Sequence, residues 1–103
     1  MRDIKFRVWW KKAKEMDYPR RASQALDYNE DNPTIPVMQF TGLKDSKGVD
    51  IYEGDIVKGI KEDGQSAVFY DHARWQPFSF LGSFNGADYI VTGNIYETPE
   101  LLQ

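Results

Sequence analysis

The chain has 103 residues, 41% hydrophobic and 15% aromatic, and a net charge of −3. That suffices for one modest core and one domain over residues 1–103; the absence of cysteine excludes disulfides, thiol chemistry and thiolate metal sites. A mean hydropathy of −0.62 and the lack of any apolar run near the roughly 20 residues a membrane helix needs exclude a spanning helix. The amino terminus, MRDIKFRVWW, carries charges where a secretory signal needs apolar residues, so the expected compartment is the cytoplasm.

In chain order, the first element is a strand. Ile4, Phe6 and Val8 fall on one face, and Lys5, Arg7 and Trp9 on the other, a period of two. KKAKE reads as a polar turn and MDY as a short returning strand. Residues 20–36, rich in Asn and Asp and closed by Pro33 and Pro36, read as a polar surface loop with one helical turn near Ser23–Leu26. VMQFTG is the next strand. Asp45 and Gly48 in DSKG supply hairpin chemistry, and VDIY, EGD and IVKGI follow as strand, turn and strand. Asp63-Gly64 joins DIVKGI to SAVFY, and Asn85-Gly86 joins FSFLGSF to ADYIVTGNI, the latter the strongest short hairpin signal in the chain. At the end, Thr98 offers an N-cap and Pro99 a first helical position for one terminal turn. Turns every 8–12 residues between short apolar segments favour a small barrel or sandwich. The expected class is all-β: a barrel-like single domain of hairpins with at most one or two short helical turns.

The glycine-dense stretch TGLKDSKGVDIYEGDIVKG could be mistaken for a phosphate-binding loop. Such a loop needs glycines with a Lys–Ser/Thr pair and a following helix. Here strand-like text separates the glycines and no helix follows, so they are read as turn punctuation. Gly48, Gly54, Gly64 and Gly86, with Asp55, are the expected structural turn residues. Asp55 is expected to bond nearby backbone N–H groups, in preference to acid–base work or cation binding with Glu53.

MRDIKFRVW, QFTGLKDSKGVDIYEGDIV and TGNIYETPELL together resemble the YopX family of small phage and prophage proteins. The resemblance covers about half the chain and leaves residues 17–36 and 71–88 unmatched. It implies a predominantly β fold and a bacterial host cell, and it transfers no catalytic residues. In one place the chain departs from the family: members usually have Asp after Phe-Arg-x-Trp, and here that position is Trp10.

Three groups of residues are candidates for a functional role. Residues 1–21 hold eight basic and three acidic groups, a net +5, against −8 for the remainder. Such asymmetry can mark a surface for polyanions; pairing of the basic hairpin with acidic neighbours is the simpler reading. Within it, Trp9 and Trp10 lie among Arg7, Lys11 and Lys12. In a strand they face opposite sides, so one joins the core and the other is covered by the loop, a second subunit or a partner. These five residues are the candidate partner or subunit contact, since interfaces are enriched in Trp and Arg; single-stranded nucleic acid is the alternative. Tyr70, His72, Arg74 and Trp75 form a second candidate patch, for a flat or anionic ligand. A lone His without Cys does not make a zinc site, and no Ser is placed to complete a triad with it. In the tail, Ile95, Tyr96, Leu101 and Leu102 are expected to close the barrel.

The functional expectation is a non-enzymatic phage or prophage accessory protein in the bacterial cytoplasm. It acts by protein binding, with a host or phage protein as partner, and self-associates as a homo-oligomer. No cofactor, metal or membrane is expected. The alternative is a binder of nucleic acid or a nucleotide signal through the basic aromatic hairpin.

Overall fold

The computed structural model describes residues 4–60, 64–71, 74–76 and 88–102. Among the described residues, nine strands and one α-helix run in chain order: β1 Phe6–Trp10, β2 Glu15–Asp17, α1 Ala22–Asp31, β3 Val37–Lys44, β4 Asp50–Tyr52, β5 Asp55–Gly59, β6 Gln65–Ala67, β7 Phe69–Asp71, β8 Arg74–Gln76 and β9 Tyr89–Asn94. A 3-10 helix, Pro99–Leu102, follows. The strands pair in the orders β2-β1-β3-β4, β6-β5-β9 and β7-β8, curled into a half-barrel. The fold is mostly β, as expected.

Strand β1 explains much of the architecture, because both of its faces are covered. Phe6, Val8 and Trp10 pack with Ala25, Tyr28, Ile35 and Val37. On the opposite face Arg7 and Trp9 are buried. A second cluster, Ile51, Val57 and Val68 with Leu43, Tyr89 and Val91, fills the space beside β5 and β9.

Strand β3 bends to serve both halves. It pairs β1 through Phe6↔Gln39 and β4 through Phe40↔Tyr52 and Leu43↔Ile51, with a bulge at Thr41–Gly42. Gly42 takes a positive φ of 86°, a conformation that only glycine adopts without steric cost. The buried Thr41 hydroxyl satisfies the bulge: it donates to the Ile51 carbonyl at 2.7 Å and accepts the Leu43 N–H at 3.1 Å. The β3–β4 turn is then tied to the other sheet. Asp45 Oδ1 accepts the N–H groups of Lys47 and Val49, and Oδ2 accepts that of Val91 in β9 at 3.0 Å. Burial alone would raise this carboxyl's pKa; the three N–H donors outweigh it and hold the pKa below the ordinary value of 3.8.

Residues 20–36 correct the sequence reading. They hold the ten-residue helix α1 rather than a polar loop with a single helical turn. Ala22, Gln24, Ala25 and Leu26 favour helix, but the ends do not help. Arg21 occupies the N-cap without a side-chain hydrogen bond, and there is neither an acidic residue in the first turn nor a basic one in the last. Packing supplies the stability: Ala25 is fully buried, and the Asn29 amide donates to the Ile35 carbonyl at 2.9 Å. Phe69–Asp71 and Arg74–Gln76 pair as a ribbon, β7–β8, through Tyr70↔Trp75 and Asp71↔Arg74.

The turn glycines differ from one another. Gly48 and Gly54 have positive φ, 83° and 87°. Gly64 precedes β6, but its φ lies outside that region and a Cβ there would meet nothing within 4 Å. Gly86 lies outside the described residues. Thr98 does not act as a side-chain cap: its hydroxyl turns back to β9, accepting the Asn94 N–H at 3.0 Å, while its carbonyl accepts the Leu101 N–H. Of the tail residues, Ile95, Tyr96 and Leu101 are half-buried and Leu102 is exposed.

Candidate functional site

The β1–β2 hairpin carries the strongest candidate surface. Trp9↔Met16 and Trp10↔Glu15 are its last pairs, leaving the four-residue tip Lys11–Lys14. The Lys14 N–H closes the tip on the Trp10 carbonyl at 2.7 Å, and Lys14 takes a positive φ of 55°, a conformation costly to a side chain with a Cβ. Lys11, Lys12 and Lys14 are exposed. Among the described residues they form no salt bridge.

The two tryptophans lie on opposite sides of the hairpin, as the alternation predicts, and each has an aromatic neighbour within the chain. Trp9 stacks on Tyr96 with ring centroids 5.7 Å apart. Trp10 meets Tyr28 of α1 edge-on at 5.0 Å, and its indole N–H donates to Asp17 Oδ2 at 3.1 Å. Helix α1 therefore provides intramolecular cover for Trp10, which remains half-buried. A cleft opens beside each ring. One, of about 400 Å³, is lined by Trp10, Lys11, Lys12, Ala13, Asn32, Thr34 and Ile35. The other, of about 540 Å³, is lined by Trp9, Lys11, Lys14, Tyr96 and Glu97. Burial, then the Glu53 carboxylate, raises the Tyr96 pKa against the pull of Arg7, so this ring stays neutral at physiological pH.

Arg7 must be removed from the candidate surface. Period-two alternation placed it on a polar face, but that face packs against the turn between β4 and β5, and Arg7 is only 2% exposed. Its Nη1 pairs with Asp55 Oδ1 at 2.9 Å, and Nη2 donates to the Glu53 carbonyl at 3.1 Å. The guanidinium also lies 4.9 Å from the centroid of the Tyr52 ring. Asp55 accepts the Tyr52 N–H at 2.8 Å, the local backbone bond expected of it. Burial pushes its pKa up, while Arg7 and this N–H pull it down; burial prevails. Gly54, between them, donates its N–H to the Val68 carbonyl and accepts that of Ile95. A Cβ there would approach Met38 Sδ to 3.1 Å.

The second candidate patch is placed only in part. Tyr70 and Trp75 are register partners across β7–β8, and Arg74 pairs Asp71, whereas His72 lies outside the described residues. Two features escaped the sequence reading. Asn94 is buried, and its Oδ1 accepts the Tyr96 and Glu97 N–H groups, fixing the turn that presents Tyr96 to Trp9; an Asn two residues before the turn was the available signal. The acidic end of α1, Glu30 and Asp31, immediately precedes Asn32 on the wall of the Trp10 cleft, which could not be seen while the segment read as a loop.

Comparison with known proteins agrees with this fold. A solved structure described as the crystal structure of protein EF1440 from Enterococcus faecalis is 25% identical. It covers 100% of both chains with a TM-score of 0.67. A search of curated proteins gave no match. The family model for YopX protein matches residues 5–103, nearly the whole sequence, and the chain belongs to the YopX family.

Proposed function

We propose that this chain is a non-enzymatic phage or prophage accessory protein of the bacterial cytoplasm that acts by binding protein, self-association included, through the tip of the β1–β2 hairpin. The observation that carries this reading is the exposed lysine tip, without a salt bridge among the described residues, set between two tryptophan-lined clefts. A binding role rather than a catalytic one is supported by the fate of the buried polar groups. Arg7, Asp55, Asp45, Thr41 and Asn94 are each engaged by internal partners, which leaves them little capacity for chemistry on a substrate. Protein is favoured over single-stranded nucleic acid because Trp9 and Trp10 already pack on Tyr96 and Tyr28, whereas base stacking needs open ring faces.

The test places a photo-crosslinking amino acid at Ala13 in the bacterial cell, with a control at exposed Lys47. A protein adduct from position 13, absent from position 47 and lost in the K11E/K12E/K14E variant, is expected. A nucleic-acid adduct from position 13 would transfer the reading to the alternative class. No adduct at either position would remove the hairpin tip as the contact surface.

A further inference from the structure

Resting on the hairpin-tip reading, we infer that the tip's partner is a second copy of this chain, docked about a two-fold axis. Lys11 and Lys12 of each protomer then lie against Glu30 and Asp31 of the other. The argument begins from where charge is left uncompensated. Lys11 and Lys12 are exposed, as are Glu30 and Asp31, and among the described residues none of the four enters a salt bridge. Glu30 and Asp31 also occupy the C-terminal turn of α1, which has no basic residue. That is the negative end of the helix dipole, where carboxylates are disfavoured and a cation is welcome. Among the described residues, each chain thus carries a positive patch and a negative patch that no salt bridge neutralises.

Their placement decides the kind of assembly. The Trp10 cleft is lined by Lys11, Lys12 and Ala13 of the hairpin tip together with Asn32, Thr34 and Ile35, which follow α1. Glu30 and Asp31 immediately precede Asn32 in the chain, so the acidic end of α1 leads directly into a segment that lines the same cleft as Lys11 and Lys12. A two-fold interface uses the same patch on both partners, with residue i meeting residue j and the reverse. A groove with opposite charges on its two rims is self-complementary in that sense. Rotation by a half-turn brings positive to negative twice and covers Ala13 and the half-buried edge of Trp10 between the charged rims. Charge pairs at such a rim fix register and partner, and they lose reach as salt shortens the screening length to about 8 Å at physiological ionic strength.

Charge exchange tests this in solution. Association of the wild type, K11E/K12E, E30K/D31K and a one-to-one mixture of the two variants is followed by sedimentation at low and high salt, with far-ultraviolet circular dichroism as the folding control. Each variant alone is expected to lose association tenfold or more, because its two rims then carry like charge. The mixture is expected to recover it as a heterodimer. E30K/D31K also complements the helix dipole, so its loss of association is not attributable to unfolding. A wild type that stays at the 12.0 kDa monomer mass at every concentration and salt overturns the inference, and leaves the crosslinking at Ala13 to judge the hairpin-tip reading separately. Loss in K11E/K12E but not in E30K/D31K overturns the α1 half of the interface. Two dissociated variants that fail to recover on mixing overturn the pairing.

Discussion

Asp55→Ala leaves the Arg7 guanidinium buried without the carboxylate that stands 2.9 Å from it. It also leaves the Tyr52 N–H without its acceptor. Removing one member of a buried ion pair costs about 3–5 kcal/mol, and an orphaned buried donor about 1–3 kcal/mol; the two overlap, so a loss near 4 kcal/mol is expected. Against a total of about 5–15 kcal/mol for a small domain, that is a large share of the stability. Arg7→Met behaves differently with pH. Asp55, whose pKa burial already raises, is pushed higher still without Arg7. A folded-state pKa above the unfolded one makes stability grow as pH falls through it, so the deficit of Arg7→Met should shrink on acidification while that of Asp55→Ala should not. In Arg7→Met/Asp55→Ala no charge is stranded, and the losses should be far from additive. Urea unfolding of the four proteins gives the cycle. A coupling below about 0.5 kcal/mol, the scatter for independent sites, would refute the claim that this pair acts as a unit.

The other predictions use the same unfolding assay. Gly54→Ala should lose roughly 1–3 kcal/mol, from the left-handed backbone and from the contact with Met38; an unchanged midpoint would show that the turn relaxes freely. Arg21→Asp should add about 1 kcal/mol by supplying the missing cap and a favourable charge at the start of α1, and no gain would mean that the helix end is already satisfied. For Asp45, burial raises the pKa and the three N–H donors more than reverse it. Its contribution is therefore complete above the ordinary value of 3.8 and is lost as pH falls below that toward the lowered folded value. Asp45→Asn should be less stable at neutral pH, with a flatter decline in acid; an acid limb parallel to the wild type would contradict this assignment.

How much of the fold could be read in the sequence depended on whether a residue's neighbours were local. Turns such as Asp45–Gly48 and Glu53–Asp55 are made by adjacent residues and were legible. Helix α1 was not, because its inward face is nearly mute. Only Ala25 is fully buried, while the large aliphatic Leu26 is 51% exposed, so no apolar stripe at helical spacing announces it. Arg7 misled for another reason: alternation along β1 reveals two faces but not that both are covered. The opposite placement of Trp9 and Trp10 was legible; their aromatic partners, Tyr96 and Tyr28, were not, since one comes from the far end of the chain and the other from the unrecognised helix.

The bond from Asp45 to Val91 spans 46 positions, and it has a kinetic consequence. Strand β5 cannot complete its sheet until β9 returns to pair Asp55↔Asn94 and Lys58↔Ile90. The Trp9–Tyr96 stack closes nearly the whole chain. Before that return, the early hairpins can form, but the Ile51–Val57–Val68 cluster lacks Tyr89 and Val91 from its wall. Closing so large a loop spends entropy before contacts repay it, which places β-rich topologies of this kind in the millisecond-to-second range of folding times. Substitutions in β9 that leave the early hairpins intact should therefore slow folding where the return is rate-limiting, and such slow closure leaves the edge of β5 that faces β9 open to other strands for as long as it lasts.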